Sequence, residues 1–261
     1  MIYVVGCTKN IHIARVFKLL ELMGFPWAKD LQHINFGSVP EIRTLDYIIQ
    51  KADFMTHAQM KKNEDKYAVV EDPNTTALEI VITTMKIHGM AAKRFVSFTP
   101  FCFLFGHFTS NYPCNYPRIN NYPSKWKHML SFEGDAGPYL QYTHVRLASI
   151  GRNNPHLLPL PPASQIATHT LAHYPHAREI AFLLGTYPDV VKAALKTHES
   201  SGVVTYAFKL AHAISAALGP VFVKGEKDME RARAKMYLYE CAREVLAAAM
   251  RLLSIRPLER M

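Results

Sequence analysis

The chain has 261 residues, 49% of them apolar, and a mean hydropathy of −0.04, a balance that is typical of globular proteins and excludes disordered and collagen-like classes. Thirty Lys and Arg residues outnumber 21 Asp and Glu, and the net charge of +9 favours an anionic partner, either a nucleic acid or a membrane surface. The four cysteines, at positions 7, 102, 114 and 241, form no Cys-x-x-Cys pair, so neither a disulfide framework nor a zinc ribbon is indicated.

The N-terminal third is predicted to mix strands and helices. A short β-branched run over residues 2–6 predicts a strand, and apolar residues at helical spacing over 11–23 predict a helix that ends at Gly24. A strand, a turn and a helix in this order form half of a parallel β-α-β unit. Two further helices are predicted over 45–67 and 75–92, where apolar residues again recur three and four positions apart.

An unusual segment follows at residues 95–117. It holds six phenylalanines, two cysteines and three prolines, but no Asp, Glu, Lys or Arg. Its apolar part is interrupted by Pro100 and Gly106 and falls short of the roughly 20 residues that cross a bilayer, so we expect no membrane span. Two interpretations stay open: a buried aromatic hairpin, or a segment that was never selected for folding, such as a translated intron.

The second half is predicted to be an α-helical bundle of about five helices, because apolar residues recur there at helical spacing. Glycine or proline marks the breaks between the helices, including Gly185, Gly202 and the pair Gly219-Pro220. The predicted helices span residues 137–150, 177–184, 188–195, 203–218 and 229–253.

Basic and aromatic side chains alternate on the first and last helices of this predicted bundle. Tyr139, Tyr142 and Arg146 lie on the first, and Tyr237 and Arg243 lie on the last. Such interleaving suits unpaired RNA, because bases stack on aromatic rings while phosphates pair with Arg and Lys. The alternative is that the tyrosines belong to the core and the arginines are solvated.

Two stretches of the second half resemble a known family. Residues 132–146 (Phe-Glu-Gly-Asp-Ala-Gly-Pro-Tyr-Leu-Gln-Tyr-Thr-His-Val-Arg) resemble the entry of class I arginyl-tRNA synthetases into their helical anticodon-binding domain, which is named for an Asp-Ala-Leu-Arg (DALR) signature. Residues 237–261, which end in Pro-Leu-Glu-Arg-Met, resemble the terminus of eukaryotic, especially fungal, members. Shorter stretches at 3–6 and 33–37 are also similar to the family.

The resemblance implies a mainly α fold in three regions. These are a truncated α/β Rossmann remnant of the catalytic domain at 1–93, an aberrant Phe-rich insert at 94–118, and the helical DALR anticodon-binding domain at 119–261. The family places the helix that begins near Tyr139 and the C-terminal helix with its end around the anticodon stem and loop. The RNA-binding residues expected on this basis are Tyr139, Gln141, Tyr142, Arg146, Tyr237, Arg243, Arg251 and Met261.

The catalytic signatures of the family are not matched. A His-x-Gly-His-type motif has no counterpart, and residues 38–44 stand where the family carries a Gly-Met-Ser-x-Arg-x-Gly-like segment. The turn that helps to hold arginine is replaced by residues 6–10, although His12 remains. Lys9 and Arg43 are cations near the right places, but neither lies in a matching motif. We therefore expect no catalytic residue in this chain.

The functional expectations follow from the family. They are arginine–tRNA ligation with ATP, in the cytoplasm, by a monomer that binds the arginine tRNA and has no membrane partner. This chain is expected mainly to supply binding of the anticodon stem-loop and to lack adenylate formation by itself. The alternative is a catalytically inactive tRNA-binding or scaffold protein derived from the synthetase.

Three histidines, His169, His173 and His176, are four and three residues apart, so the first pair could share one face of a helix and bind a divalent metal. No carboxylate or cysteine stands at a matching spacing, and we therefore expect no metal site.

Overall fold

The computed structural model describes residues 1–37, 49, 50, 54, 56, 57, 72–91, 93 and 135–261. Within them lie two strands and six α-helices. These are β1 (Ile2–Gly6), α1 (Asn10–Leu22), β2 (Gln32–Phe36), α2 (Pro73–Ala91), α3 (Gly137–Asn153), α4 (Pro175–Thr197), α5 (Ser201–Ala217) and α6 (Met229–Leu252). The expected mainly helical fold is confirmed. The predicted helix over 45–67 falls largely outside the described residues, and the Phe-rich segment falls wholly outside them.

The N-terminal strand and helix form a small parallel β-α-β unit. β1 and β2 pair in parallel with Ile2 opposite Gln32 and Gly6 opposite Phe36, and α1 connects them. Between the sheet and α1, the rings of Tyr3 and Phe17 are in contact, with centroids 5.4 Å apart. Among residues 1–37 only Ala28 is buried, so most apolar side chains of this unit keep solvent-exposed surface.

The remaining helices enclose one hydrophobic core. α3 packs against α2, α5 and α6, and α4 packs against α5 and α6. The apolar faces that were predicted from the sequence converge here, since helices bury one stripe of side chains against their neighbours. Side chains with no exposed surface include Leu140, Ile180, Leu210, Ile214, Leu246 and Met250.

The contact between α2 and α3 is very close. A Cβ atom placed on Gly137 would lie 2.6 Å from the Cα atom of Thr84 on α2, a distance that no side chain tolerates. The α2–α3 contact therefore depends on glycine at the first turn of α3.

Asp72 caps the start of α2 by accepting hydrogen bonds from the backbone N–H groups of Asn74 and Thr75, both at 3.1 Å. The hydrogen bonds that Asp72 accepts from Thr75 also lower the pKa of its carboxyl group.

The two helices predicted at 177–184 and 188–195 are in fact one, α4, which runs through Gly185 and Pro188. The predicted break at Gly185 is therefore wrong, and the bundle within residues 135–261 has four α-helices instead of about five. Pro188 has no N–H to donate and disturbs the preceding turn. Just before that turn, the carbonyl of Leu183 accepts hydrogen bonds from the hydroxyls of Thr186 and Tyr206, at 2.8 and 2.9 Å. The hydrogen bond from Tyr206 of α5 thus stabilises α4 close to its internal proline.

Two smaller expectations about the helical half also change. Gly202 does not separate helices but lies in the first turn of α5. In the described part of the chain, no helix combines the length and the apolar character that a bilayer crossing requires.

Candidate nucleic-acid interface

A cleft opens where the C-terminal half of α3 faces the loop between α5 and α6. Its volume is about 260 Å³, smaller than the roughly 300–1,000 Å³ typical of pockets for drug-sized ligands, and it is open to solvent. The charged residues among those that line it, Arg146 and Lys224, are both cationic. The lining consists of Arg146, Ser149, Ile150, Asn153, Asn154, Leu218, Val221, Phe222, Val223, Lys224 and Tyr239.

Phe222 gives the cleft an exposed aromatic surface. The side chain is 58% exposed, whereas its neighbours Val221 and Val223 are buried in the core. The loop therefore anchors itself by two valines and presents the ring between them to solvent. An exposed aromatic ring beside cations and amide groups is the combination that binds an unpaired base next to a phosphate.

Sequence reasoning missed Phe222 and Lys224. They lie in a loop bounded by Gly219-Pro220 and by Gly225, whose φ of +82° favours glycine. The available signal was the alternation Val-Phe-Val-Lys within this loop, which puts one aromatic and one cation on the face opposite to two valines.

Tyr142 and Arg146, both predicted as RNA contacts, lie one turn apart on α3. The Arg146 guanidinium carbon is 5.5 Å from the centroid of the Tyr142 ring, a cation–π contact. Tyr142 is 42% exposed. Arg146 also lines the cleft, so this pair extends the aromatic and basic surface from the cleft along α3.

Tyr139 joins α3 to α5. Its hydroxyl donates a hydrogen bond to Ser215 Oγ at 2.8 Å and lies 3.3 Å from Nδ1 of His212. The His212 ring is tilted against the Tyr139 ring at 5.1 Å, and its Nε2 contacts the carboxylate of Asp135. The half-buried Tyr139 is thus engaged in a contact between helices.

Gln141 is fully buried and holds the C-terminal tail, residues 254–261. Its amide nitrogen donates to Thr83 Oγ1 at 2.8 Å and to the Arg256 carbonyl at 2.9 Å, while its oxygen accepts from the Leu258 N–H at 3.0 Å. His144 Nδ1 donates to the Leu258 carbonyl at 2.7 Å. Burial lowers the pKa of this imidazole. The geometry gives Gln141 a role in placing the tail, with no side-chain surface left for a ligand.

The other predicted RNA contacts lie on α6 and at the end of the tail. Arg243 is half-buried, and its guanidinium pairs with Glu240 at 2.5 Å and with Glu259 of the tail at 3.5 Å. Tyr237 is half-buried, and a hydrogen bond with Cys241 raises the pKa of its phenol. Arg251 is exposed in the last turn of α6, and Met261 is partly exposed.

The carboxyl end of β1 lacks the features of a site for ATP, the substrate that the family resemblance implies. The strand ends at Gly6, where an added Cβ atom would meet nothing closer than 3.9 Å, so no close backbone approach requires a glycine there. Lys9, at the N-cap position of α1, is exposed. These described residues do not fit a phosphate-binding turn, which needs converging N–H groups and cations.

The histidines at 169, 173 and 176 do not share a helix face. His169 lies in the short 3₁₀ helix Thr168–Leu171, His173 lies in the turn after it, and His176 lies in the first turn of α4. In the described ranges no group of three metal-ligating side chains comes together.

Comparisons with known proteins agree with this geometry. Residues 140–261 match the family described as the DALR anticodon binding domain. The match covers the helical bundle from the first turn of α3 to the end of the tail, so this part of the chain is similar to DALR anticodon-binding domains.

The chain as a whole is related to arginine–tRNA ligases and corresponds to their C-terminal part. It is 42% identical to the cytoplasmic arginine–tRNA ligase of Saccharomyces cerevisiae and 40% identical to the probable cytoplasmic enzyme of Schizosaccharomyces pombe. All of this chain aligns in both cases, with 40% and 39% of the relatives. The chain therefore spans about 40% of the length of these curated relatives.

Solved structures show the same fold. The arginyl-tRNA synthetase of Thermus thermophilus superposes with a TM-score of 0.74 at 21% identity, over all of this chain and 41% of that one. At this identity the likeness concerns the fold alone.

Proposed function

We propose that this chain binds the anticodon stem-loop of an arginine tRNA and serves arginine–tRNA ligation. The observation that carries the proposal is the cleft in which the exposed Phe222 ring lies beside Arg146 and Lys224. An unpaired base can stack on the ring while the two cations meet the adjoining phosphates. The match of residues 140–261 to the DALR family, and the names of the relatives, supply the type of RNA.

We propose Tyr142, Arg146, Phe222, Lys224 and Arg251 as the residues that contact RNA directly. Each has exposed side-chain surface or lines the cleft. The remaining predicted contacts are proposed to act with them as a supporting set, because their polar groups are already paired or they sit on the tail. This supporting set consists of Tyr139, Gln141, Tyr237, Arg243 and Met261.

The test is a salt titration of the full chain against two RNA stem-loops, one with an arginine anticodon and one with the same loop scrambled. Each phosphate contact should add close to one unit to the slope of log K against log salt on paired RNA, and about 0.7 on single strands. Binding should favour the arginine anticodon. Equal binding to both loops would mean that the protein binds RNA through its positive charge alone and does not recognise the anticodon.

Lys224→Met and Phe222→Ala separate the two parts of the interaction. Loss of the cation should reduce the salt slope by about one phosphate contact and weaken both loops alike. Loss of the ring should leave the slope unchanged and remove about 1–3 kcal/mol, the range for one base–aromatic stack. Phe182→Ala, on the exposed face of α4, is the matched aromatic control and should bind as the parent does.

For catalysis we propose that this chain alone forms no arginyl-adenylate, because the end of β1 does not fit a phosphate site. Arginine-dependent exchange between ATP and pyrophosphate should be absent, whereas the Saccharomyces cerevisiae relative measured alongside should be active. Robust exchange by the 261-residue chain would refute this part of the proposal and identify it as a ligase in itself.

The second candidate function is a catalytically inactive tRNA-binding or scaffold protein. It is favoured by the apolar surface left on the β-α-β unit, which a protein partner would cover. Pull-downs after nuclease treatment distinguish the two functions: partners that survive nuclease support a scaffold, and partners lost with the RNA support tRNA binding.

Three further features are proposed on the same basis. The domain division at residues 93 and 118 is supported by the DALR match, which falls inside 119–261. A cytoplasmic location is supported by the names of both relatives, and imaging of a tagged chain would expose a mitochondrial location instead. A monomer is expected from the family, and sedimentation of the full chain measures its mass.

A further inference from the structure

The loop that presents Phe222 is fastened from below by a buried lysine. Lys235 is 4% exposed and lies on the inner side of α6, in the second turn after the helix begins. A charged group is rarely so deeply buried unless several partners satisfy it.

Three partners surround the ammonium group of Lys235. Nζ donates to the carbonyl of Phe222 at 3.1 Å and to Glu226 Oε2 at 2.7 Å, and it lies 4.9 Å from the centroid of the Tyr174 ring. Phe222 and Glu226 belong to the loop between α5 and α6, whereas Tyr174 lies just before α4. One side chain thus links both ends of the exposed stretch that includes Lys224 to the rigid helical core.

The bond to the Phe222 carbonyl is the informative one. It fixes the backbone of the residue whose ring faces solvent, while the flanking valines are buried and hold the loop against the core. Because the ring itself is 58% exposed, the loop needs backbone anchors to hold it in one orientation. A preorganised ring binds a base without the cost of ordering the loop at that moment.

We propose that Lys235 is a positioning residue for RNA recognition: it holds the loop so that the Phe222 ring is presented to an unpaired base. This inference rests on the proposed function. Lys235 does not contact RNA itself, because its ammonium group is buried and its donors are engaged within the protein. A stability role alone is less economical, since a buried ion pair can often be replaced by apolar side chains of similar size without loss of stability.

The experiment is a double-mutant cycle in the full chain, with the arginine anticodon stem-loop as the probe. Lys235→Met keeps the length of the side chain and removes its charge. The variant should bind the stem-loop about tenfold more weakly, a loss within the range for one base–aromatic stack. In the Phe222→Ala background the same substitution should have no further effect, because the ring that Lys235 positions is gone. The salt slope should equal that of the parent, since no phosphate contact is lost.

Arg233→Met is the matched control, because Arg233 is an exposed cation two residues away on the same helix. It removes the same charge and should leave discrimination between the arginine and the scrambled loop intact. If Lys235→Met proves unfolded by circular dichroism, Glu226→Gln replaces it in the cycle, since Glu226 is the carboxylate partner of Lys235. It should weaken binding in the parent and not in the Phe222→Ala background.

Three results would overturn the inference. They are a folded Lys235→Met protein that binds as tightly as the parent, a loss of the same factor in both backgrounds, or a salt slope that falls by about one contact. Failure of the proposed function looks different, because then the unmodified chain itself would not distinguish the two loops.

Discussion

The β-α-β unit at the N-terminus and the helical bundle at the C-terminus bury their apolar residues to very different extents. In the bundle, Leu210 and Leu246 have no exposed surface, whereas in the unit Val4 is 65% exposed and Leu19 is 58% exposed. A helix can bury its single apolar stripe against its neighbours, but a parallel sheet has two apolar faces and needs cover on both. The bundle therefore provides its own core, whereas the unit within residues 1–37 does not.

Hydrogen exchange should show the largest difference between the two regions. Opening free energies in a protein range from near zero for weakly packed segments to the full unfolding free energy for the core. Amides of β1 and β2 should therefore exchange at least about a thousandfold faster than those of α5 and α6. Mass spectrometry of peptic fragments measures both. Equal protection of the strands and of α5 would show that the β-α-β unit is as stable as the bundle, contrary to this prediction.

Truncation of leucines should sharpen the same contrast. Leu210→Ala removes a fully buried side chain and should cost about 2–5 kcal/mol of unfolding free energy. Leu19→Ala removes a side chain that is mostly exposed on α1, and should change the unfolding of the bundle by less than about 0.5 kcal/mol. Urea unfolding followed by far-UV circular dichroism gives both values. A similar cost for the two substitutions would mean that the unit and the bundle unfold together.

Two glycines test how tightly the bundle is packed. Gly137→Ala would force a Cβ atom against the backbone of Thr84 and should destabilise the bundle by about 1–3 kcal/mol. Gly185→Ala lies in the middle of α4, where an added Cβ meets nothing within 4 Å, and should stabilise by about 0.5–1 kcal/mol. The two substitutions thus have opposite expected signs in the same thermal or urea assay. If Gly137→Ala were neutral, α2 and α3 would be less closely packed than the structure has them.

The smallest expected effect concerns pH and the tail. Burial lowers the pKa of His144 below its ordinary value of 6.5, so the unfolded chain takes up the proton first. The contribution of the neutral His144 side chain to the free energy of unfolding is therefore fully present above pH 6.5. It is lost as the pH falls through the lower pKa of the folded state. His144→Asn keeps a donor for the Leu258 carbonyl but cannot titrate.

The measurement is the unfolding free energy of both proteins as the pH is lowered from about 7 towards 5, the range in which histidine side chains take up a proton. The parent should lose stability faster than the variant on the acid side. The half-buried His88, whose pKa is also lowered by burial, is present in both proteins and cancels in the difference. Parallel curves would show that His144 does not couple the tail to protonation.

Prediction from the sequence succeeded where local periodicity was sufficient. The predicted helix over 203–218 is observed as α5 over Ser201–Ala217, because its apolar residues recur every three to four positions and are buried in the bundle. The predicted break inside α4 failed, because Pro188 and Gly185 are weak helix formers in isolation. The hydroxyl of Tyr206, a residue of α5, donates to the carbonyl of Leu183 just before the turn that Pro188 disturbs, and no local pattern contains that contact.

The candidate site divides in the same way. Arg146 and Tyr142 were expected on one helix and lie there together, since their spacing of four residues places them on one face. Gln141 belongs to the same motif, yet its position on α3 turns it towards the tail and away from solvent. Phe222 was not predicted as an RNA contact, because the alternation Val-Phe-Val-Lys around it is only four residues long and lies in a loop.

The general class of the molecule could be read from the sequence: a basic chain that starts with a strand and a helix, has a helical second half and carries residues that resemble a DALR domain. These properties depend on composition and on neighbours within a few positions, which the sequence states directly. Three features became visible only once the helices were packed: Lys235 is buried beneath the loop, Phe222 is exposed above it, and Gln141 forms hydrogen bonds with the tail. Each of these depends on contacts between residues distant in sequence, whose geometry is fixed only when the helices pack.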